Sequence, residues 1–258
     1  MGMRAVVFGT AIGVAAGVGA SQARRWWKTW GVAPDEADKP LPGDGIVPAP
    51  MAVETRGITI DAPPAAIWPW LVQMGYGRAG WYSYDQLDQR GSSAEEVMPT
   101  WQELQVGDIL PTHPGGGFEV AIVEPGRALV VRSDTALVKA QAEAAKASPG
   151  GGLDQATVGV QASGAILGST PQEFAASWAF VLEPIGPDKT RLIERFRVWY
   201  GEGSPATRFV MPFVGFGVFV MLQRQMTGIR ARAEQLVTTP SGDVERSETP
   251  DLVGVATD

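Results

Sequence analysis

Gly77-Arg78-Ala79-Gly80-Trp81-Tyr82-Ser83-Tyr84-Asp85 is the stretch that says most about how this chain folds. Two glycines flank an arginine, and three aromatic residues and an acid follow within five positions. Rings with polar tips, set beside a carboxylate and a flexible turn, suit a pocket that holds an apolar molecule through a few hydrogen bonds. The same rings could instead pack into the core from a helix, and both interpretations stay open.

The segment before this stretch, residues 64–74, is amphipathic and contributes Trp70. We therefore predict a group of ligand-binding residues, namely Trp70, Trp81, Tyr82, Tyr84 and Asp85. A tyrosine hydroxyl can donate a hydrogen bond to a carbonyl oxygen in a dry pocket, which suits both ligand orientation and enol chemistry. None of the spacings is a catalytic signature, so no catalytic residue is predicted.

Alternating apolar and polar residues predict strands on both sides of this segment. The expected order is a strand at 53–60, a helix at about 64–74, a short helix near 81–90, and strands at 108–111, 118–124, 128–133, 174–184 and 190–200. Turn residues such as Pro125-Gly126-Arg127 separate successive strands. This order is typical of an antiparallel meander.

The strand predicted at 190–200 places Glu194 among apolar residues. Leu192, Glu194 and Phe196 share one face, because side chains alternate along a strand. We expect this face to point inward, and the arginines at 191, 195 and 197 to point into water. A buried carboxylate is costly unless it is hydrogen-bonded or protonated, so Glu194 joins the candidate ligand-binding residues.

Beyond residue 204 the chain is predicted to be helical. Apolar residues recur there at steps of three and four, namely Val218, Leu222, Met226, Ile229, Ala233 and Leu236. Upstream, residues 209–222 are apolar all round but too few to span a bilayer, which takes about 20 residues. They could line the mouth of a cavity or dip into a membrane surface.

Residues 58–88, ITIDAPPAAIWPWLVQMGYGRAGWYSYDQLD, resemble the SRPBCC superfamily, and in particular an actinobacterial branch of it. Residues 30–44, WGVAPDEADKPLPGD, resemble a segment that precedes the domain in that branch. The superfamily includes START lipid-transfer domains, birch-pollen-allergen-like proteins and polyketide cyclases. The resemblance runs from about Trp30 to Leu236. It implies an α+β helix-grip fold, in which an antiparallel sheet wraps around a long C-terminal helix and encloses a cavity.

Composition narrows the possible functions. A chain of 258 residues with 45% apolar and 19% charged residues fits one globular domain with appendages. It has no cysteine and a single histidine, His113, so we expect no metal site, no Ser-His-Asp triad and no cofactor. The formal net charge is −7, and residues 1–30 carry four cations without an acid. An acidic body repels nucleic acid, so we expect no nucleic-acid partner.

Residues 5–21 form an uncharged run with glycines at every fourth position from Gly9 to Gly17, followed by Arg24-Arg25-Trp26-Trp27-Lys28. Such a run, ended by cations and interfacial aromatics, predicts a transmembrane-type anchor with the main domain in the cytoplasm. Two alternatives remain. Val18-Gly19-Ala20 could be the cleavage site of a signal peptide, which would make the protein exported, or the run could be a buried helix.

The predicted organisation has four parts. Residues 1–30 are the anchor or signal, 31–52 a proline-rich linker, 53–237 the helix-grip domain, and 238–258 a disordered acidic tail. An insert at 134–170 interrupts the domain. Its first half, 136–147, is helix-forming, and its glycine-rich remainder suits a disordered segment or a lid.

The leading functional hypothesis is non-enzymatic binding, extending to transfer, of a hydrophobic small molecule or lipid in an internal cavity at the membrane surface. One alternative is an enzyme that resembles polyketide cyclases and dehydrases, with Tyr82, Tyr84, Asp85 or Glu194 as acid–base groups. Another is a membrane-associated accessory protein without an open cavity. Fold alone does not choose among these hypotheses.

Overall fold

The computed structural model describes residues 21–88, 91–147, 173–201 and 205–238. Its helices are α1 (described over 21–28), α2 (Pro34–Asp38), α3 (Pro64–Val72), α4 (Asp85–Asp88), α5 (Thr135–Ala147) and α6 (Pro205–Thr238), with 3-10 turns at Asp44–Ile46 and Pro99–Trp101. Its strands are β1 (Ala52–Ile60), β2 (Ile109–His113), β3 (Gly116–Glu124), β4 (Ala128–Asp134), β5 (Phe174–Gly186) and β6 (Lys189–Tyr200).

The six strands form one antiparallel sheet in the order β1-β6-β5-β4-β3-β2. Strands β2 to β6 follow one another as a meander, and β1 closes the other edge by pairing with β6. All six predicted strands are present with ends shifted by at most two residues, and the long C-terminal helix is present as α6. The prediction of an α+β fold with an antiparallel sheet is therefore confirmed.

Strand alternation divides the apolar residues of the sheet between two faces. The inner face packs against α3 and α6 and forms the larger core, with Ile58, Leu129, Val131, Phe180, Leu182 and Leu192 from the strands. Met226, Ile229 and Ala233 of α6 are fully buried in this core, which confirms the centre of the predicted stripe. The stripe residues Val218 and Leu236 are exposed instead.

The outer face carries a smaller cluster that the proline-rich segment covers. Leu41 packs there against Val130, Ala179, Val181 and Ile193. The segment predicted as a linker at 31–52 thus lies on the sheet through α2 and the turn at Asp44–Ile46, and its last residue, Ala52, begins β1.

This cover overturns the expectation that the arginines of β6 point into water. Arg195 is 3% exposed and donates hydrogen bonds to the carbonyl oxygens of Lys39 and Ala37 at 2.7 and 2.8 Å. Arg191 pairs with Glu36, and Arg197 donates to the Val47 carbonyl oxygen. Arg195 is buried, and Arg191 and Arg197 are half-buried, because the covering segment offers their guanidinium groups carboxylates and backbone carbonyls.

α1 packs against α6 through aromatic rings. Trp26 meets Phe219 edge-on at 5.3 Å between ring centroids, and Trp27 meets Phe216 at 5.4 Å. Within the described ranges, no helix is long and apolar enough to cross a membrane. Residues 5–20 of the apolar run predicted at 5–21, residues 148–170 of the insert and residues 239–258 of the tail lie outside the described residues. The first half of the insert is helix α5, as predicted.

Candidate ligand cavity

The stretch that follows α3 is a closed glycine turn. The backbone groups of Gly75 and Gly80 exchange hydrogen bonds of 3.0 and 3.2 Å, and both residues have positive φ. Tyr82 also has positive φ, at 56°, which is rare outside glycine. The turn therefore directs Trp81 and Tyr82 beneath α6.

Gly228 of α6 lies directly on this turn. A Cβ atom at position 228 would overlap the carbonyl oxygen of Tyr82 and come within 3.0 Å of the Tyr82 Cβ. The helix can approach the turn this closely only because residue 228 has no side chain.

Between the turn, the sheet and α6 lies a cavity of about 240 Å³. The turn, β2, β5 and α6 all contribute to its wall, which the described residues Trp81, Ser83, Thr112, Trp178, Met221, Leu222 and Gln225 form. The wall is mainly apolar with a few polar groups, which is the usual composition of a small-molecule site.

Two tryptophans form the aromatic part of this wall. The rings of Trp81 and Trp178 stack with 5.5 Å between centroids and 15° between planes. Phe118 and Phe180 pack on Trp178 at 5.7 and 4.8 Å. Both tryptophans are buried, so their faces are fixed by packing and present a rigid surface to the cavity.

Glu194 lies behind Trp178 in a dry environment. Its Oε1 accepts a 2.7 Å hydrogen bond from the indole nitrogen, and its Oε2 is buried without a partner. Burial raises the pKa of the Glu194 carboxyl to about 7, although attraction to Arg56 and the indole hydrogen bond lower it. The predicted inward carboxylate is thus confirmed as buried, and it is hydrogen-bonded to the indole of the wall residue Trp178.

Arg56, opposite Glu194 in the β1–β6 register, is fully buried as well. Its guanidinium pairs with Glu54, donates to the Trp27 carbonyl oxygen at 3.1 Å and lies 5.6 Å from the centre of the Phe219 ring. Its Nη1 has no partner. The inner face therefore carries a buried ionic group beneath the place where α1 meets α6.

Tyr82 and Trp70 belong to the core that supports the wall. The Tyr82 hydroxyl donates to the Trp70 carbonyl oxygen at 3.1 Å and accepts from Gln73 Nε2 at 3.0 Å. The two rings meet edge-on at 5.9 Å. Burial raises the pKa of the Tyr82 phenol. These contacts hold the turn against α3 and use both hydrogen-bonding roles of the phenol.

Asp85 fixes the loop that follows the turn. Its carboxylate accepts hydrogen bonds from the Ser93 hydroxyl at 2.6 Å and the Ser93 amide at 3.0 Å. The Ser93 hydroxyl in turn accepts from the Tyr82 amide at 3.1 Å. Tyr84 is partly exposed. Of the six residues predicted to bind ligand, Trp81 lies on the cavity wall and Glu194 lies one side chain away from it.

His113 ends β2, and its Nδ1 lies 3.0 Å from the Pro114 carbonyl oxygen. Among the described residues, no group of acidic or histidine side chains is arranged to hold a metal ion.

Trp178, Ser83, Thr112 and Gln225 were not predicted as wall residues. Gln225 had a detectable signal, because it lies three residues after Leu222 and next to Met226 on the apolar face of α6. A polar residue on such a face is either paired in the core or part of a site. Ser83 and Thr112 had no such signal, since their positions depend on how the turn meets β2.

No protein-family model and no curated protein sequence matches the chain. Among solved structures, a protein MLL2253 from Mesorhizobium loti is 15% identical, with 71% of this chain and 98% of that chain covered and a TM-score of 0.35. The hypothetical protein jhp0584 from Helicobacter pylori is 11% identical, with 75% and 95% covered and a TM-score of 0.42. Similarity at this level carries no argument about function.

Proposed function

We propose that this protein is a helix-grip container of the SRPBCC type that binds an apolar small molecule or part of a lipid beside a membrane. The observation that carries the proposal is the cavity under α6, with the stacked pair Trp81 and Trp178 on one side and Met221 and Leu222 on the other. A cavity between a sheet and a long helix, with a mainly apolar wall, buries a ligand through the hydrophobic effect.

The size of the cavity limits the ligand. Its volume of about 240 Å³ lies below the roughly 300–1,000 Å³ of pockets for drug-sized molecules. A small ring compound or one end of an acyl chain suits this space better than a whole two-chain lipid.

Binding is favoured over catalysis by the position of the titratable groups. The described residues of the wall include no carboxylate, histidine, lysine or arginine. Glu194 has a pKa of about 7, the value expected of a general acid or base, and it supports the cyclase-like alternative. However, the Trp178 indole occupies Glu194 Oε1, and Glu194 is not among the described residues of the wall.

The surface around α1 supports a location at the membrane. Trp26 is 56% exposed and Phe216 is 45% exposed, and Arg24 and Arg25 are exposed beside them. Amphipathic aromatic rings next to cations are typical of a membrane interface. Because Trp26 also contacts Phe219, this surface adjoins the helix that covers the cavity. A membrane-held ligand would therefore reach the cavity over a short path.

A blocked cavity tests the binding proposal. The probe is N-phenyl-1-naphthylamine, a neutral apolar fluorophore whose emission rises in a dry site. We expect saturable binding to the wild type, and at least about tenfold weaker binding by Leu222→Trp, because the larger ring fills space on the wall. Val218→Trp, at an exposed position on the same helix, is the control. Unchanged affinity in a folded Leu222→Trp protein would contradict the proposal.

Membrane fractionation tests the location. We expect the full chain to stay in the membrane pellet after a carbonate wash, because residues 5–21 form an apolar run near the length of a span. A variant without residues 1–20 should move to the supernatant and still bind the fluorophore. Full-length protein in the washed supernatant would argue against the anchor.

A further inference from the structure

Gln225 is a buried polar residue of the cavity wall whose side-chain oxygen has no hydrogen-bond partner. Its side chain is buried, and its Nε2 lies 3.5 Å from the sulfur of Met74. A thioether sulfur only accepts hydrogen bonds, so the amide nitrogen faces it. This orientation leaves Oε1 buried without any partner while Gln225 lines the cavity.

A second wall residue presents an acceptor for the same reason. The Ser83 hydroxyl donates its only proton to the Met221 carbonyl oxygen at 3.0 Å. What remains of Ser83 for a ligand is a pair of acceptor sites on the oxygen. The wall therefore has two oxygen atoms that accept no hydrogen bond from the protein, one from the turn (Ser83) and one from α6 (Gln225).

We infer that the cavity selects an uncharged apolar ligand that carries a hydroxyl or N–H donor, and that Gln225 accepts the hydrogen bond from that donor. The inference rests on the proposed binding function and narrows its ligand class to alcohols, phenols and neutral amines or amides. A buried acceptor without a partner costs free energy, and a donor on the ligand removes that cost. A carboxylate placed against Gln225 and Ser83 is disfavoured, because its oxygens would face the acceptor oxygens of these two residues. The Thr112 hydroxyl is the other polar group among the described wall residues, and it can donate as well as accept.

The stacked tryptophans and the acceptor act on different parts of such a ligand. The apolar part lies against Trp81 and Trp178, and the donor points to α6, where Gln225 follows Leu222 by less than one helical turn. The aromatic surface supplies most of the affinity, and Gln225 supplies the discrimination. A site built to hydrogen-bond a ligand rejects analogues without the matching group.

A matched pair of ligands tests this inference. The probes are 4-butylphenol and its methyl ether, 4-butylanisole, and isothermal titration calorimetry on the full chain measures both dissociation constants. We expect the phenol to bind about 3- to 10-fold more tightly than the ether, the effect of one hydrogen bond to a buried acceptor. The anion 4-butylbenzoate should bind more weakly than the phenol.

Gln225→Leu removes the acceptor and keeps a similar volume. In this variant the preference for the phenol should disappear, so that the ratio of the two dissociation constants is about one. The ether should bind at least as tightly as it binds to the wild type. Gln223→Leu, on the same helix but away from the described wall, should keep the preference.

The outcomes separate the inference from the function on which it rests. Equal binding of phenol and ether by the wild type overturns the role of Gln225 and leaves the binding function standing. Tighter binding of the benzoate also overturns it. If neither neutral probe binds, the proposed function fails together with the inference. The wild-type comparison alone decides the matter if Gln225→Leu does not fold.

Discussion

The two faces of the sheet differ in how completely their buried polar groups are hydrogen-bonded. On the outer face, Arg195 donates hydrogen bonds to five acceptors from β1 and the proline-rich segment. Asp44 Oδ1, which has no hydrogen bond there, lies 3.4 Å from Arg197 Nη1 in an ion pair. On the inner face, Glu194 Oε2, Arg56 Nη1 and Gln225 Oε1 are buried without a hydrogen-bond partner. Both faces are dry, so the difference lies in how the polar groups are paired.

This difference separates structure from site. A fully paired buried charge holds two segments in one arrangement, and it leaves nothing for a ligand to bind. An unpaired buried group costs stability, and a role in a functional site is one reason for which proteins keep such a group. The inner face is therefore the place to look for a ligand, and the outer face is the place to look for stability.

The largest expected effect is on the outer face. Arg195→Met should lower the free energy of unfolding by about 3–5 kcal/mol, because it removes the ion pair with Asp44 and leaves the backbone carbonyls of Lys39, Glu36 and Ala37 without their donor. Urea denaturation measures this loss. The control is Arg127→Met, whose side chain is 67% exposed in its pair with Glu124 and should cost less than about 1 kcal/mol. An Arg195→Met loss as small as that of the control would remove the contrast between the faces.

On the inner face, Glu194 predicts a pH effect on stability. Its pKa rises from 4.5 to about 7 on folding. Below pH 4.5 both states hold the proton, and as pH rises toward 7 the unfolded state ionises first, so stability falls through this window and stays low above it. Glu194→Gln lacks the ionisation. Its stability relative to the wild type should rise by about 2–3 kcal/mol between pH 5 and pH 8.

Urea denaturation at several pH values measures this change. Glu183→Gln, which removes a surface carboxylate beside Lys39, is the matched control. A stability difference between wild type and Glu194→Gln that stays constant from pH 5 to pH 8 would show that Glu194 is charged throughout.

The smallest expected effect on stability is that of Tyr82→Phe. Tyr82 is buried in the inner core like Glu194, but its hydroxyl is fully hydrogen-bonded like the guanidinium of Arg195. Tyr82→Phe should cost about 0.5–1.5 kcal/mol of stability, the net contribution of its hydrogen bonds to Trp70 and Gln73. Binding of the cavity probe should not change. A double-mutant cycle with Gln73→Leu measures the coupling directly. Weaker probe binding without a loss of stability would move Tyr82 from the scaffold to the site.

The six strands and the long C-terminal helix were predicted well from the sequence, because strand alternation and the helical stripe are local patterns. The sequence also predicted Glu194 as buried from its position between Leu192 and Phe196. It was wrong about Arg195, since an arginine row on a strand looks solvated unless the covering segment is known. That cover depends on Asp44 and on carbonyl groups about 150 residues away in the chain, a pairing that no local pattern shows.

The cavity wall was predicted only in part for a similar reason. Trp81 was predicted as a ligand-binding residue because of its neighbours in the turn. Trp178 was not predicted, because it reaches the cavity wall by stacking on Trp81, which is distant in the sequence. Tyr82 and Asp85 were predicted in the same way as Trp81, yet their polar groups are used inside the turn. The residue types of a segment indicate that it could form a binding site. Only the hydrogen bonds of the folded protein show which of its polar groups remain free for a ligand.

The missing side chain at Gly228 has a consequence for how ligand size is set. Because α6 rests on the carbonyl of Tyr82 at this point, the contact fixes the height of the helix above the turn. Gln225 and Leu222 lie less than two turns before Gly228 on the same helix. Even one added methyl group would have to raise the helix or deform the turn. The clearance available to a ligand is thus determined by a residue that never touches it, so a change of selectivity could arise without any change in the cavity lining.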